Sequence, residues 1–214
     1  MKVLCLHGLA QNGPHFARKC LALTEGLKSI GIDTVFPTAP IPVNNLDPRY
    51  QVKDHPDCRS WWIVDSSNPQ QYIMDDALES LRTVVAEEGP FVGIMGFSQG
   101  AGFAGALCTH MPEFFPGHPP LKFAIFVGGF VLSLGRYQDL VKGPLSLPTC
   151  HVVGDYDTIV PEQRSLMLFE RCDPKTRVLV KHPGGHFVPS QITTINAISK
   201  FAEQSLLEIS SYKI

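Results

Sequence analysis

A chain of 214 residues with formal charge −2, 18% charged and 44% hydrophobic residues has the balance of a soluble globular protein, expected as a single domain over 1–214. Lysine and arginine are scattered without a basic cluster, which argues against nucleic acid or an anionic membrane surface as partner. No apolar run reaches the length of a membrane span, the first residues enter a strand pattern rather than a cleavable leader, and six cysteines stand far apart with no C-x-x-C pair, so the reading is a cytoplasmic protein with reduced thiols and neither a zinc nor a redox motif.

Residues 2–7 read as the first strand. One helix is expected over 14–30, with Gly31 as its stop signal. A second strand follows over 32–36. Residues 37–69 then break the rhythm, being long, proline-rich and the site of Tyr50, Trp61 and Trp62. A structureless connection of that length is uncommon in a compact domain and points to function, and its aromatics argue against disorder. A helix is expected over 70–88, ended by Gly89-Pro90. A strand over 91–97 leads into a helix over 99–110. Residues 123–127 and 149–153 read as strands, 161–171 as a helix, 177–181 as a strand and 190–207 as the last helix. Runs such as FAIFV and FVGIM are apolar on both faces. That fits an α/β fold with a mostly parallel sheet flanked by helices on both faces.

The run FVGIMGFSQG places a serine between two glycines where the strand over 91–97 ends. Ligands gather at the carboxyl ends of strands in parallel sheets. A strand–nucleophile–helix turn strains the backbone at Ser98, and Gly96 and Gly100 give the room it needs. The Gln99 backbone N–H would then stand free at a helix start, aimed at developing negative charge. The plain alternative is a glycine-rich turn with an incidental serine, so partners matter.

A serine hydroxyl needs a base, and in α/β-hydrolases an acid and then a histidine follow the serine in the chain. VVGDYDTIVP offers Asp155 and Asp157, and VKHPGGHFVP offers His182 and His186, each just beyond a strand. Asp157 is preferred because it lies farther out, where a loop can carry it to a histidine; Asp155 could be a turn former, and Asp157 itself could cap the next helix. His186 is preferred because Gly184-Gly185 let the backbone swing, whereas His182 ends its strand before Pro183. His7 and His151 read as packed, hydrogen-bonded residues, and His15, His55, His110 and His118 as surface or loop residues. A second oxyanion donor is expected from the Leu9 N–H, in the loop LHGLAQNG after the first strand.

Together LHGLAQNG, GFSQGA, GDYDTIVP and HPGGHFVP resemble the FSH family of serine hydrolases within the α/β-hydrolase superfamily, over residues 3 to about 205. Arg59-Ser60-Trp61-Trp62 resembles that family's Arg-x-Trp-aromatic element, and Val127-Gly128-Gly129-Phe130 its segment after the strand that follows the nucleophile helix. The resemblance implies a compact hydrolase core with few lid elements and carries Ser98, Asp157 and His186 over as the triad. It implies carboxylesterase chemistry on acyl esters through an acyl-enzyme. The alternative is a thioesterase releasing polyketide or fatty acyl chains from a carrier-protein thioester, and a more distant one is an acyl-binding protein without turnover. Trp61, Trp62, Phe130 and Phe187 are the candidate substrate-binding residues, against the alternative that the tryptophans form a satellite core under the loop. No metal or organic cofactor is called for, and no helix shows a clear self-association stripe, which leaves the oligomeric state open.

Overall fold

The computed structural model describes residues 1–43, 57–64, 72–132 and 144–208. The chain begins with β1 (Lys2–Leu6), α1 (Gly13–Lys19), α2 (Leu21–Lys28) and β2 (Asp33–Val35). Four two-residue strands follow: β3 (Ile41–Pro42), β4 (Arg59–Ser60), β5 (Ile63–Val64) and β6 (Tyr72–Ile73). Then come α3 (Asp75–Glu88), β7 (Gly93–Phe97), α4 (Gln99–Phe114), β8 (Phe123–Val127), β9 (Thr149–Gly154), α5 (Glu162–Phe169), β10 (Arg177–His182) and α6 (Ile192–Glu208).

Six of these strands form one sheet in the order β10-β9-β8-β7-β1-β2, every neighbouring pair parallel. Alternation along each strand divides its side chains between two cores. Val3 and Cys5 of β1, Met95 and Phe97 of β7 and Phe123 and Ile125 of β8 pack with Phe16 of α1, Leu23 and Leu27 of α2 and Ile195, Ile198 and Phe201 of α6. Leu4, Leu6, Ile94, Ala124 and Phe126 point the other way, onto Leu78 and Leu81 of α3, Phe103 and Leu107 of α4 and Leu168 of α5. Both faces are therefore covered, which is why the central strands read as apolar at every position.

The sheet has one switch point. From β1 the chain moves outward to β2, while β7 pairs on the other side of β1 and the later strands continue away from it. The loops leaving β1 and β7 consequently diverge from neighbouring carboxyl ends and open a crevice between them.

Several expected elements differ in detail. The helix expected over 14–30 is two helices that meet at Cys20, whose φ −97 and ψ 8 break the regular turn. The expected loop over 37–69 contributes short strands instead, β3 paired antiparallel with β4, and β5 paired with β6 just beyond it. Tyr50 and His55 lie outside the described residues. The helix expected from 70 starts at Asp75, because Tyr72 and Ile73 are drawn into the pair with β5. The helix expected to end at 110 runs on to Phe114 through a kink at His110, with Pro112 inside the second piece. That kink coincides with the expected end, since proline withholds a backbone donor and suits only the first turn of a new helical piece.

Candidate active site

Ser98 sits where β7 turns into α4, with φ 53 and ψ −115. Its N–H donates to Val127 O at 2.9 Å, and its carbonyl accepts from Ala101 and Gly102 at 3.0 and 3.1 Å. The strained residue is thus held from both sides, by the neighbouring strand and by the first turn of α4. A Cβ at Gly96 would lie 2.3 Å from Gly100 O, and one at Gly100 would lie 2.2 Å from Leu6 O. The flanking glycines allow the turn to close on itself and on the end of β1.

The turn aims the serine at a histidine from the last β–α loop. His186 Nε2 lies 2.8 Å from Ser98 Oγ, and His186 Nδ1 lies 2.7 Å from Asp157 Oδ2. The Asp157 side chain is 3% exposed. Its other oxygen accepts the backbone N–H groups of Ile159 and Val160 at 2.9 and 2.8 Å. A carboxylate with all these donors fixes the imidazole tautomer, with the Nδ1 proton towards Asp157 and Nε2 open to take the serine proton. The imidazole packs on Phe97, ring centroids 4.8 Å apart.

The competing residues have other work. Asp155 forms a surface pair with Lys181 at 3.0 Å. His182 is buried at the end of β10, its ring against Phe187, and burial pushes its pKa down. His7 is fully buried; its Nδ1 donates to Gly8 O at 2.8 Å and its Nε2 accepts from the Ala39 N–H at 3.0 Å. Loss of water around it lowers its pKa to about 4, so it is a neutral strut.

Leu9 follows β1 and Gln99 opens α4, the two sides of the crevice. Among the described residues, neither backbone N–H is bonded to an acceptor. The four aromatic residues separate. Trp61 has 0% exposure and stacks at a tilt on His7 and Phe103, so its side chain belongs to the core beneath the site and does not line an acyl pocket as expected. Trp62 is buried to 7% exposure and meets Phe130 edge-on, with ring centroids 6.2 Å apart. The guanidinium of Arg164 covers the Phe130 ring at 4.5 Å. Phe187, next to His186, is 44% exposed.

Three contributors lie in segments the sequence singled out, but their contacts there were not readable from it. Gly128 has φ 55, and a Cβ there would come within 3.1 Å of His186 Cε1, so a bare backbone makes space for the imidazole. Ser60 and the side chain of Gln99 meet in a buried hydrogen bond of 2.7 Å although 39 positions apart. A separate cavity of about 590 Å³, lined by Arg82, Val85, Phe114, Phe115 and His118, lies near Gly89-Pro90 at the amino edge of the sheet, the end opposite Ser98. Among the described residues, no cluster of three or more histidine, cysteine or acidic side chains could hold a metal ion.

Residues 1–198 match the family described as serine hydrolase (FSH1). The chain is 34% identical over 221 residues to Family of serine hydrolases 2 of Saccharomyces cerevisiae, covering 94% of this chain and 97% of that protein. It is 34% identical over 210 residues to Esterase OVCA2 of Danio rerio, covering 89% and 91%. Among solved structures, acyl-protein thioesterase 2 of Zea mays superposes with a TM-score of 0.66 at 18% identity, covering 96% of this chain and 93% of that one.

Proposed function

The chain belongs to the serine hydrolase (FSH1) family and has the α/β-hydrolase fold, and from that premise we propose that it cleaves acyl esters through a covalent acyl-enzyme on Ser98. The observation that carries the reading is the unbroken line of hydrogen bonds from Ser98 through His186 to Asp157, at 2.8 and 2.7 Å. His186 Nε2 takes the proton of Ser98 as its oxygen attacks the acyl carbonyl. Asp157 orients the imidazole and stabilises the imidazolium, and the N–H groups of Leu9 and Gln99 hold the tetrahedral oxyanion. The proton passes from His186 to the leaving alcohol. Water activated by the same imidazole then releases the acid and restores Ser98.

Trp62, Phe130 and Phe187 are the side chains we assign to the acyl substrate. Phe130 follows β8 and packs over Gly102, one turn of α4 beyond Ser98, and Phe187 flanks the base. Their apolar surface suits an acyl chain more than a charged one. A thioester would meet the same nucleophile, base and oxyanion donors. Six free thiols fit a reducing compartment such as the cytoplasm.

The test is kcat/KM on an acyl oxyester and on the acyl pantetheine thioester of the same chain, with Ser98→Ala beside the wild type. Oxyester preference supports the carboxylesterase reading, and a strong thioester preference moves the substrate to carrier-bound chains. Ser98→Ala is expected to lose on the order of 10⁶ in kcat on both. Turnover that survives the substitution overturns the mechanism.

A further inference from the structure

The stretch Arg59–Trp62 lies in the long insertion, yet its polar groups turn inward, onto the two loops that carry the oxyanion donors. The Trp61 indole N–H donates to His7 O at 2.8 Å, and the Trp61 backbone N–H donates to Gln99 Oε1 at 3.0 Å. Gln99 Nε2 donates to Ser60 Oγ at 2.7 Å and to Trp62 O at 3.0 Å, and Ser60 Oγ donates to Trp62 O. The Gln99 carboxamide thus has both its oxygen and its nitrogen engaged, at 5% exposure of the residue. A second set of bonds grips the loop after β1: the Ala10 N–H donates to Arg59 O at 3.0 Å and the Arg59 N–H donates to Gln11 O at 2.9 Å. Between them lies Ala10 with φ 57, a conformation that costs energy for any residue with a Cβ and persists only where its surroundings hold it.

We propose that Ser60, Trp61 and the Gln99 carboxamide are positioning residues that clamp the loop 7–11 and the start of α4 in one register, and so set the gap between the Leu9 and Gln99 N–H groups for the tetrahedral oxyanion. The inference rests on the mechanism proposed above and deepens it. An oxyanion site works because its donors are oriented before charge develops, so displacement by a few tenths of an ångström weakens the transition state more than the bound substrate. The left-handed Ala10 gives the loop a reason to relax when released, and the Trp61–His7 and Arg59–Ala10 bonds are what oppose that. On this view the described part of the insertion is a strut of the catalytic centre rather than a cover over it, and the full burial of Trp61 follows from that position.

Two variants separate positioning from folding. Trp61→Phe deletes the indole N–H and keeps an aromatic ring. Gln99→Met keeps the side-chain length and the backbone N–H and deletes both carboxamide contacts. Each is assayed for kcat and KM on a p-nitrophenyl acyl ester, for thermal midpoint, and for Ki of an acyl trifluoromethyl ketone, which Ser98 converts to a tetrahedral oxyanion. Folded variants are expected to lose about tenfold to a hundredfold in kcat with KM nearly unchanged, and the Ki of the ketone is expected to rise by the same factor. Loss of kcat with an unchanged ketone Ki, or wild-type kcat in both folded variants, overturns the clamp. A Ser98→Ala control separates the two readings. If it is inactive while the clamp variants behave as wild type, only the clamp falls; if it keeps turnover, the serine mechanism falls.

Discussion

Asp157 and Asp155 are two positions apart in one loop, and their surroundings divide the roles. Asp157 receives His186 and two backbone N–H groups in a nearly closed site, whereas Asp155 meets Lys181 on the surface. Asp157→Asn offers an amide where His186 needs an acceptor and favours the wrong imidazole tautomer. It is expected to lower kcat by about 10⁴ with a folded chain. Asp155→Asn removes a solvent-screened surface pair, leaves Lys181 its contact with Glu162, and should leave kcat within about twofold. Esterase assays on the two variants side by side check both outcomes, and equal losses would mean that the acid is not Asp157. That Asp157 and His186 would be brought to Ser98 was legible because each follows a strand end and the order of serine, acid and histidine restricts the choice. The role of Trp61 was not legible. Its contacts are with His7 and Gln99, 54 and 38 positions away, and nothing local in an aromatic pair says whether it faces a substrate or a core.

Elements of the chain were read from spacing, and spacing has a blind spot. Phe16, Cys20, Leu23 and Leu27 all turn to the same core, at intervals of four, three and four, so the apolar stripe runs unbroken through the junction of α1 and α2. A break at one residue that preserves the stripe leaves no mark in the pattern, and the expected single helix follows naturally. The two-residue strands β3 to β6 are too short to show alternation, and their hydrogen bonds depend on partners brought in by the rest of the fold. The opposite case is α4, where the glycines were legible as the cost of a sharp turn. A propensity argument would have Gly100→Ala stabilise the first turn of α4 by about 1 kcal/mol. Contact decides otherwise, because the new methyl would sit 2.2 Å from the carbonyl oxygen of Leu6 and 2.5 Å from that of His7, both backbone atoms at the end of β1. Overpacking of this kind costs on the order of 1–3 kcal/mol or more. Thermal melts of Gly100→Ala should therefore show a lower midpoint, and activity should fall because the loop that leaves β1 holds Leu9, the proposed oxyanion donor. A raised midpoint would mean that the turn is looser than described.

The whole molecule is a parallel sheet whose two cores keep charge out, and that carries a consequence for pH. The alternation of apolar strands with helical stretches made this architecture readable, and the crevice at the switch point follows from strand order, which local patterns do not contain. Three histidines are buried among the described residues, His7, His151 and His182, and burial lowers the pKa of each, of His7 and His151 most. His7 is held at a pKa of about 4 by burial, and His151 at about 3 by burial and the charge of Arg177. His151 meets Thr149 Oγ1 at 3.1 Å and Cys172 Sγ at 3.4 Å through Nε2, while its Nδ1 has no partner among the described residues. In the unfolded chain both titrate near 6.5. Between that value and the folded values the unfolded state binds more protons, so the stability these residues contribute is complete above about pH 6.5 and is lost as pH falls. Each histidine takes away about 1.4 kcal/mol per pH unit in that window. Together they remove roughly 4 kcal/mol by pH 5, a large part of the stability of an ordinary domain. Urea unfolding at pH 7.5, 6 and 5 should show a midpoint that falls steeply below pH 6.5. His151→Leu, which takes one titrating group out of the core, should reduce that slope by about one proton's worth. A midpoint independent of pH over this range, in the wild type, would mean that neither imidazole is as secluded from water as its packing indicates.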